Sequence, residues 1–188
     1  MAESYDAIVL AGGSARRLGG IDKPGLLVGE RSLLDRVLTA VTDASRVVVV
    51  GPRRMTGRPV LWTAESPVGG GPVAAVAAGL DHVRASTVVV LAGDLPFLSA
   101  AAVHALLDAM VGHEGALLVD DGGRDQLLVG GWRTAALRAA LPAEPAGARL
   151  GDTLGRLDAA RVALPATERA PWFDCDTADD VATARGQA

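Results

Sequence analysis

Lysine occurs once in this chain, as Lys23, against seventeen arginines; cysteine also occurs once, as Cys175, and only 3% of the residues are aromatic. Each scarcity excludes something. A lone cysteine cannot close an internal disulfide, which sets aside the small stapled scaffolds. With so few rings, a chain that is 49% hydrophobic must pack its core from Val, Leu and Ala, as helices lying close on a sheet do. No apolar run approaches the roughly 20 residues that cross a bilayer. The opening "MAESYDAIVLA" enters a strand-like run without the long apolar core of a signal peptide, so a soluble, cytoplasmic protein is expected. A formal net charge of −4 supplies no basic field, and nucleic acid is not an expected partner. The three histidines, His82, His104 and His113, share no ligand spacing. Cys175 has no sequence-local base, and flanking Asp174 and Asp176 would raise its pKa, which argues against a nucleophile.

What is present reads as one α/β domain over 1–188. "YDAIVLA", "RVVVVG", "STVVVLAGD" and "GALLVDD" are short, Val/Leu-rich and nearly unalternated, as strands buried on both faces are. Between them run helical patterns. "SLLDRVLTAVTDA" places Leu33, Val37, Leu38 and Val41 on one side, with Ser32 as N-cap; "SAAAVHALLDAM" does the same with Ser99 as cap. Alternating strand, loop and helix predict right-handed crossovers and a three-layer, Rossmann-like arrangement. "DDGGRD" reads as a hairpin turn between "ALLV" and "QLLVGGW", which would make the mostly parallel sheet a mixed one. A helix is expected near Thr134 to Leu141, a mobile loop in "PAEPAGARLGD", and a closing helix capped by Thr177.

The loop after the first strand, "LAGGSARRLGGIDK", gathers four glycines and three cations within residues 12–23. A glycine-rich loop at the carboxyl end of a parallel strand exposes backbone to a ligand, and cations there suit a polyphosphate. Gly12 and Gly13 remove side chains from the approach, while Arg16, Arg17 and Lys23 bring charge. Neither the P-loop nor the G-x-G-x-x-G fingerprint is present, so a Walker ATPase and a dinucleotide dehydrogenase are not expected. The alternative for each residue alone is a tight turn with solvated arginines. Lysine at position 23 suits a mobile point charge that follows a phosphoryl oxygen, where an arginine fork holds fixed bidentate partners.

"LAGDLPFLS" ends a buried strand at Gly93 and Asp94. A carboxylate at a strand's carboxyl tip suits Mg²⁺, which needs only one or two protein carboxylates when substrate oxygens complete its shell. Asp94 is therefore the candidate metal ligand, with turn capping as the alternative. Asp174 and Asp176 in "FDCDT" either complete that site or cap the last helix. Gly69 to Gly71, ahead of Pro72 at a helix start, form a second open loop that serves either as a simple turn or as a surface for a base or second substrate.

These segments carry a resemblance. "VLAGGSARRLGGIDKPGLLVG" resembles the L-A-G-G-x-x-x-R-M-G-G-x-D-K-x-L signature of the molybdenum cofactor guanylyltransferases, the MobA-type nucleotidyltransferases. "LAGDLPFLS" is similar to their metal-binding D-x-P segment, and "WFDCDTADDV" to their closing N-x-N-T-P-E-D-L. The resemblance implies a nucleotide-diphospho-sugar transferase-like fold, Mg²⁺ dependence, and transfer of GMP from GTP to the phosphate of molybdenum-bound molybdopterin. It implies that Leu10, Ala11, Gly12, Gly13, Gly51 and Glu65 (or its neighbour Ser66) lie along the nucleotide. Arg17 and Lys23 would hold triphosphate, Asp94 would bind Mg²⁺, and Arg149 and Asp176 would face the second substrate. The family's asparagines are Asp174 and Asp176 here, its proline is Ala178, and the cation beside its basic loop residue is Leu150.

Three other readings stand beside this one. Cytidylyl transfer to the same pterin belongs to enzymes resembling L-A-A-G in the first loop, and Gly12 favours guanine over it. Guanylyl transfer to another phosphorylated acceptor, such as a phospholactate, keeps the donor and changes the partner. A nucleotide-binding module without turnover would have little use for Arg17, Lys23 and Asp94 together. Transient contact with proteins that make or receive the molybdenum cofactor is compatible with the chain but written in no motif.

Overall fold

A computed structural model of the chain describes residues 4–12, 22–165 and 169–187. Its centre is a seven-stranded sheet ordered β5-β4-β1-β6-β8-β7-β9. The strands are β1 (Tyr5–Leu10), β4 (Arg46–Val50), β5 (Leu61–Thr63), β6 (Thr87–Ala92), β7 (Gly115–Val119), β8 (Asp125–Arg133) and β9 (Ala159–Ala163). A small hairpin, β2 (Leu27–Val28) with β3 (Arg31–Ser32), stands apart from it.

β1 pairs in parallel with β4 and β6, as the Val-rich runs predict, and β4 with β5. The expected hairpin forms, and β8 inserts between β6 and β7, antiparallel to both; β9 then adds in parallel to β7. The sheet is thus mixed and mostly parallel.

Side chains alternate across each strand, so one run feeds two cores. Ala7 and Val9 of β1 pack with α1 (Leu33–Ala40) and α3 (Ala100–Ala109) on one face. Ile8 packs on the other face with α2 (Pro72–Leu80), α4 (Thr134–Ala140) and α5 (Leu150–Leu154). α2 comes very close to the sheet at Gly79, where a Cβ would stand 2.7 Å from Ile8 Cγ2. Trp132 is fully buried in the second core, and Gly115 and Gly130 leave room for its ring.

All three expected caps form. Ser32 accepts from the Asp35 N–H and Ser99 from the Ala102 N–H. Thr177 and Asp180 make a reciprocal capping box at the start of α6 (Ala178–Gly186). α1 ends at Ala40, short of the expected run. β5, β9, α5 and the β2–β3 hairpin carry no local pattern that marks them in the sequence, and the loop expected over residues 142–152 stops at Arg149, because α5 takes up its last three residues from Leu150. Among the described residues no helix is long and apolar enough to cross a membrane.

Candidate active site

The carboxyl ends of four neighbouring strands, β5, β4, β1 and β6, are tied together by backbone hydrogen bonds. Ala11 N–H donates to Val50 O (2.8 Å), Gly93 N–H to Leu10 O (2.9 Å) and Gly51 N–H to Thr63 O (2.9 Å). Leu10, Ala11, Gly12, Gly51 and Gly93 therefore form one continuous patch of backbone above the sheet.

The patch depends on missing side chains. Gly51 has φ +141°, and a Cβ there would stand 2.6 Å from Gly12 N and 2.8 Å from Ala11 O. A Cβ on Gly93 would press on Leu10 O at 3.0 Å and on Ala11 at 3.2 Å. A Cβ on Gly12 meets nothing closer than 3.6 Å, so that glycine keeps the patch open without packing need. Glu65 lies at the edge of the patch, its Oε2 3.8 Å from where a Cβ on Gly12 would stand.

Glu65 begins a chain of contacts to the far loop. Its Oε1 accepts from the Gly69 N–H (3.1 Å), and Gly70 O accepts from the Gly147 N–H (2.8 Å). The second glycine loop and the loop carrying Arg149 thus lie against each other. Arg149 itself is exposed at the start of α5.

Beside the patch, β6 delivers Asp94 and the segment before α6 delivers Asp176 to one ammonium. Lys23 Nζ lies 3.0 Å from Asp94 Oδ2 and 2.5 Å from Asp176 Oδ1. Side-chain exposures of 15% for Lys23 and 19% for Asp94 put the contact in a half-sheltered cleft rather than on open surface. Each member is anchored. Lys23 opens a short 3-10 turn, Lys23–Gly25, with Pro24 buried behind it. Asp176 follows Cys175, which is buried with Val28, Leu33, Val181 and Ala184.

Charges in the cleft shift one another. Burial works against the Lys23 ammonium, but Asp176 and Asp94 outweigh it and its pKa lies above the ordinary lysine value. Desolvation, then the charges of Asp176 and Asp94, push the Asp174 carboxyl up, with Lys23 opposing. Burial pushes the Cys175 thiol up to about 12, with Asp94 and Asp180 next in effect, so it stays a protonated, inert thiol.

Asp94 and Asp176 offer the hard carboxylate oxygens that Mg²⁺ takes. Among the described residues no three His, Cys, Asp or Glu side chains gather as a metal cage. The donor set therefore fits a cation whose shell is completed by substrate oxygens and water.

The structure thus brings together Leu10, Ala11, Gly12, Gly51 and Glu65 on one side, Lys23, Asp94 and Asp176 on the other, and Arg149 at the far loop. Gly13, Arg16 and Arg17 lie outside the described residues. Asp176 faces Lys23, while Thr177 and Asp180 do the capping. His104 and His113 each meet an aspartate, Asp43 and Asp158, away from the cleft. Next to Lys23 but outside the cleft's ion pairs, Arg54 holds Asp22 (Nε to Oδ1 2.8 Å), a pairing across 32 positions that no local signal marks. Gly93, expected only as the end of the strand before Asp94, also shapes the backbone patch.

Comparison with known proteins places these features in a lineage. The profile described as the MobA-like NTP transferase domain matches residues 7–161. A molybdenum cofactor guanylyltransferase of Bradyrhizobium sp. (strain ORS 278) is 32% identical, covering 94% of this chain and 90% of its own length. One from Mesorhizobium japonicum is 34% identical, over 98% of this chain and 96% of its own. Among solved structures, a nucleotidyl transferase from Methanothermobacter superposes with a TM-score of 0.76 at 16% identity, covering 98% of this chain and 97% of that one. The molybdopterin-guanine dinucleotide biosynthesis protein A of Archaeoglobus fulgidus gives 0.73 at 21% identity, over 97% of each chain. At these identities the structural likeness establishes the fold, which is the one nucleotidyltransferases use.

Proposed function

Because the chain belongs to the molybdenum cofactor guanylyltransferases, with their MobA-like NTP transferase domain, we propose that it moves GMP from GTP to the phosphate of molybdenum-bound molybdopterin, releasing pyrophosphate. The observation that carries this reading is the cleft in which Lys23, Asp94 and Asp176 meet beside the bare backbone of Gly12 and Gly51.

The acceptor is a phosphate monoester, already anionic, so it needs no strong base to attack the α-phosphorus. What it needs is alignment against a negatively charged triphosphate. Gly12 and Gly51 let the nucleoside lie on backbone, and Glu65 borders it as a hydrogen-bond acceptor. Lys23 brings an ammonium to the phosphate oxygens, where charge builds as pyrophosphate departs. Arg17 holds triphosphate from the glycine loop. Arg149, on the loop docked against the second glycine loop, receives the anionic pterin, with Asp176 at the border between the two substrates. Asp94, joined by Asp176, would hold Mg²⁺, which when bound supplies neutralising charge to the triphosphate oxygens.

Product mass tests the reading. Purified protein is incubated with Mg²⁺, molybdate-loaded molybdopterin, and GTP or CTP in separate reactions. The expected result is a guanine dinucleotide with GTP and nothing with CTP; a cytosine dinucleotide, or no product with GTP, overturns it. Chelation with EDTA should stop the reaction and added Mg²⁺ restore it, followed as pyrophosphate release.

A further inference from the structure

The place where a divalent cation would sit between Asp94 and Asp176 already holds a positive charge belonging to the protein. Lys23 Nζ lies within 3.0 Å of one carboxylate and 2.5 Å of the other. We propose that Lys23 is the resident cation of this carboxylate pair, so that a divalent metal enters only together with the nucleotide whose phosphates draw the ammonium away. The inference rests on the reading of the site as a nucleotidyltransferase cleft, and adds an order of binding to it.

Three observations carry it. First, ammonium and metal compete for the same oxygens. A divalent ion approaching the empty enzyme must either sit beside a positive charge or expel it, and expulsion leaves a half-sheltered ammonium without an anionic partner. A triphosphate removes both costs, because its oxygens accept the ammonium while its charge accompanies the metal.

Second, only the side chain has to move. The Lys23 backbone is fixed in its 3-10 turn, where its carbonyl accepts from the Leu26 N–H (2.9 Å) and Pro24 is buried. Asp94 follows Gly93, which is bonded to Leu10 O, and Asp176 follows fully buried Cys175. Two fixed carboxylates facing a jointed cation make an exchange of partners possible without loop rearrangement.

Third, the residue type fits. In a chain that otherwise uses arginine for all its cations, this one is lysine. A four-carbon stem carrying three rotatable donors can trade a carboxylate for a phosphate, whereas a guanidinium fork would lock onto the carboxylates bidentately. Asp176 is on this account a positioning residue: with Asp94 it parks Lys23 when the site is empty, and it becomes an oxygen donor once Lys23 has left.

Mn²⁺ titration, with free ion read by electron paramagnetic resonance, tests this without any turnover. For the whole chain with Mn²⁺ alone, the wild type should bind at least tenfold more weakly than Lys23→Met. Adding Asp176→Asn to Lys23→Met should lose most of that gain. Arg54→Gln removes a neighbouring cation that faces Asp22 instead, so it should leave Mn²⁺ affinity within about twofold of wild type. With the α,β-methylene analogue of GTP present, wild-type affinity for Mn²⁺ should rise at least tenfold.

Equal affinity of wild type and Lys23→Met for Mn²⁺ alone, with both folded by circular dichroism, overturns the proposal, as does an equal gain in Arg54→Gln. Lys23→Gln serves if the methionine variant does not fold. The metal-alone arm contains no nucleotide and no pterin, so a wrong donor or acceptor would show in product mass while leaving this comparison intact.

Discussion

Gly51 and Gly12 sit a few ångströms apart, yet their replacement should have different consequences. Gly51 has φ +141° and its Cβ position lies 2.6 Å from Gly12 N, so Gly51→Ala must displace the Ala11–Gly12 backbone. We expect it to weaken GTP binding at least tenfold and also to lower the melting temperature. Gly12→Ala meets no atom within 3.6 Å. It should melt within about 2 °C of wild type and still lose GTP affinity, because the methyl group rises where the nucleoside would rest. Calorimetric binding and thermal melts on the two variants separate these outcomes. Lys23→Ala belongs to the same scale. Removing one preorganised donor aimed at an oxyanion costs about 2.7–4 kcal/mol, or roughly 10²–10³-fold in turnover, and a loss of that order is expected for an ammonium facing developing phosphate charge. The half-sheltered ion pair it breaks should leave the melting temperature nearly unchanged, and a steady-state rate close to wild type would remove Lys23 from the chemistry.

At the scale of elements, what was legible in the sequence is what is local. The caps at Ser32, Ser99 and Thr177 were readable because each bonds an N–H three residues on. Thr177→Ala should therefore cost about 1 kcal/mol, read from urea unfolding, with faster amide exchange confined to α6. The four valine- and leucine-rich runs were readable because strands buried on both faces have no other composition. β5 was not, since its three half-buried residues lie at the sheet edge and carry no period. β9, "AARVA", has the composition of a helix and becomes a strand only because β7 offers it an edge. The candidate site divides in the same way: the glycine loop and the strand-tip carboxylate showed themselves, whereas the pairing of Lys23 with Asp176 spans 153 positions. Gly115 was silent too. Its Cβ would stand 2.3 Å from the Trp132 ring, so Gly115→Ala should destabilise by about 1–3 kcal/mol through overpacking, measured by denaturant titration.

For the whole molecule, the active edge and the opposite end of the sheet are held by different means. At the opposite end Asp43 joins three elements, accepting from Tyr5 Oη at 2.5 Å and meeting His104 Nε2 at 2.7 Å. Burial works against the Asp43 carboxylate, but the bonds from Tyr5 and His104 outweigh it and hold its pKa below the ordinary value. A depressed carboxylate stabilises the fold above its unfolded pKa, near 3.9, and that contribution is lost as pH falls through the lower native value. The stability gap between wild type and Asp43→Asn should therefore be full at pH 6 and shrink toward pH 3, measured by urea midpoints; a gap that widens on acidification would contradict it. The active edge, in contrast, spends its charges on a cleft in which one ammonium faces two carboxylates, an arrangement more useful for exchanging partners than for stability.

Transfer is separated from mere nucleotide binding by the rate of pyrophosphate release from GTP with and without molybdenum-bound molybdopterin, in wild type and Asp94→Asn. The expected result is release that depends strictly on the acceptor and falls by at least 100-fold in Asp94→Asn. Release that proceeds equally without the pterin, or that survives the loss of the Asp94 carboxylate, would contradict it.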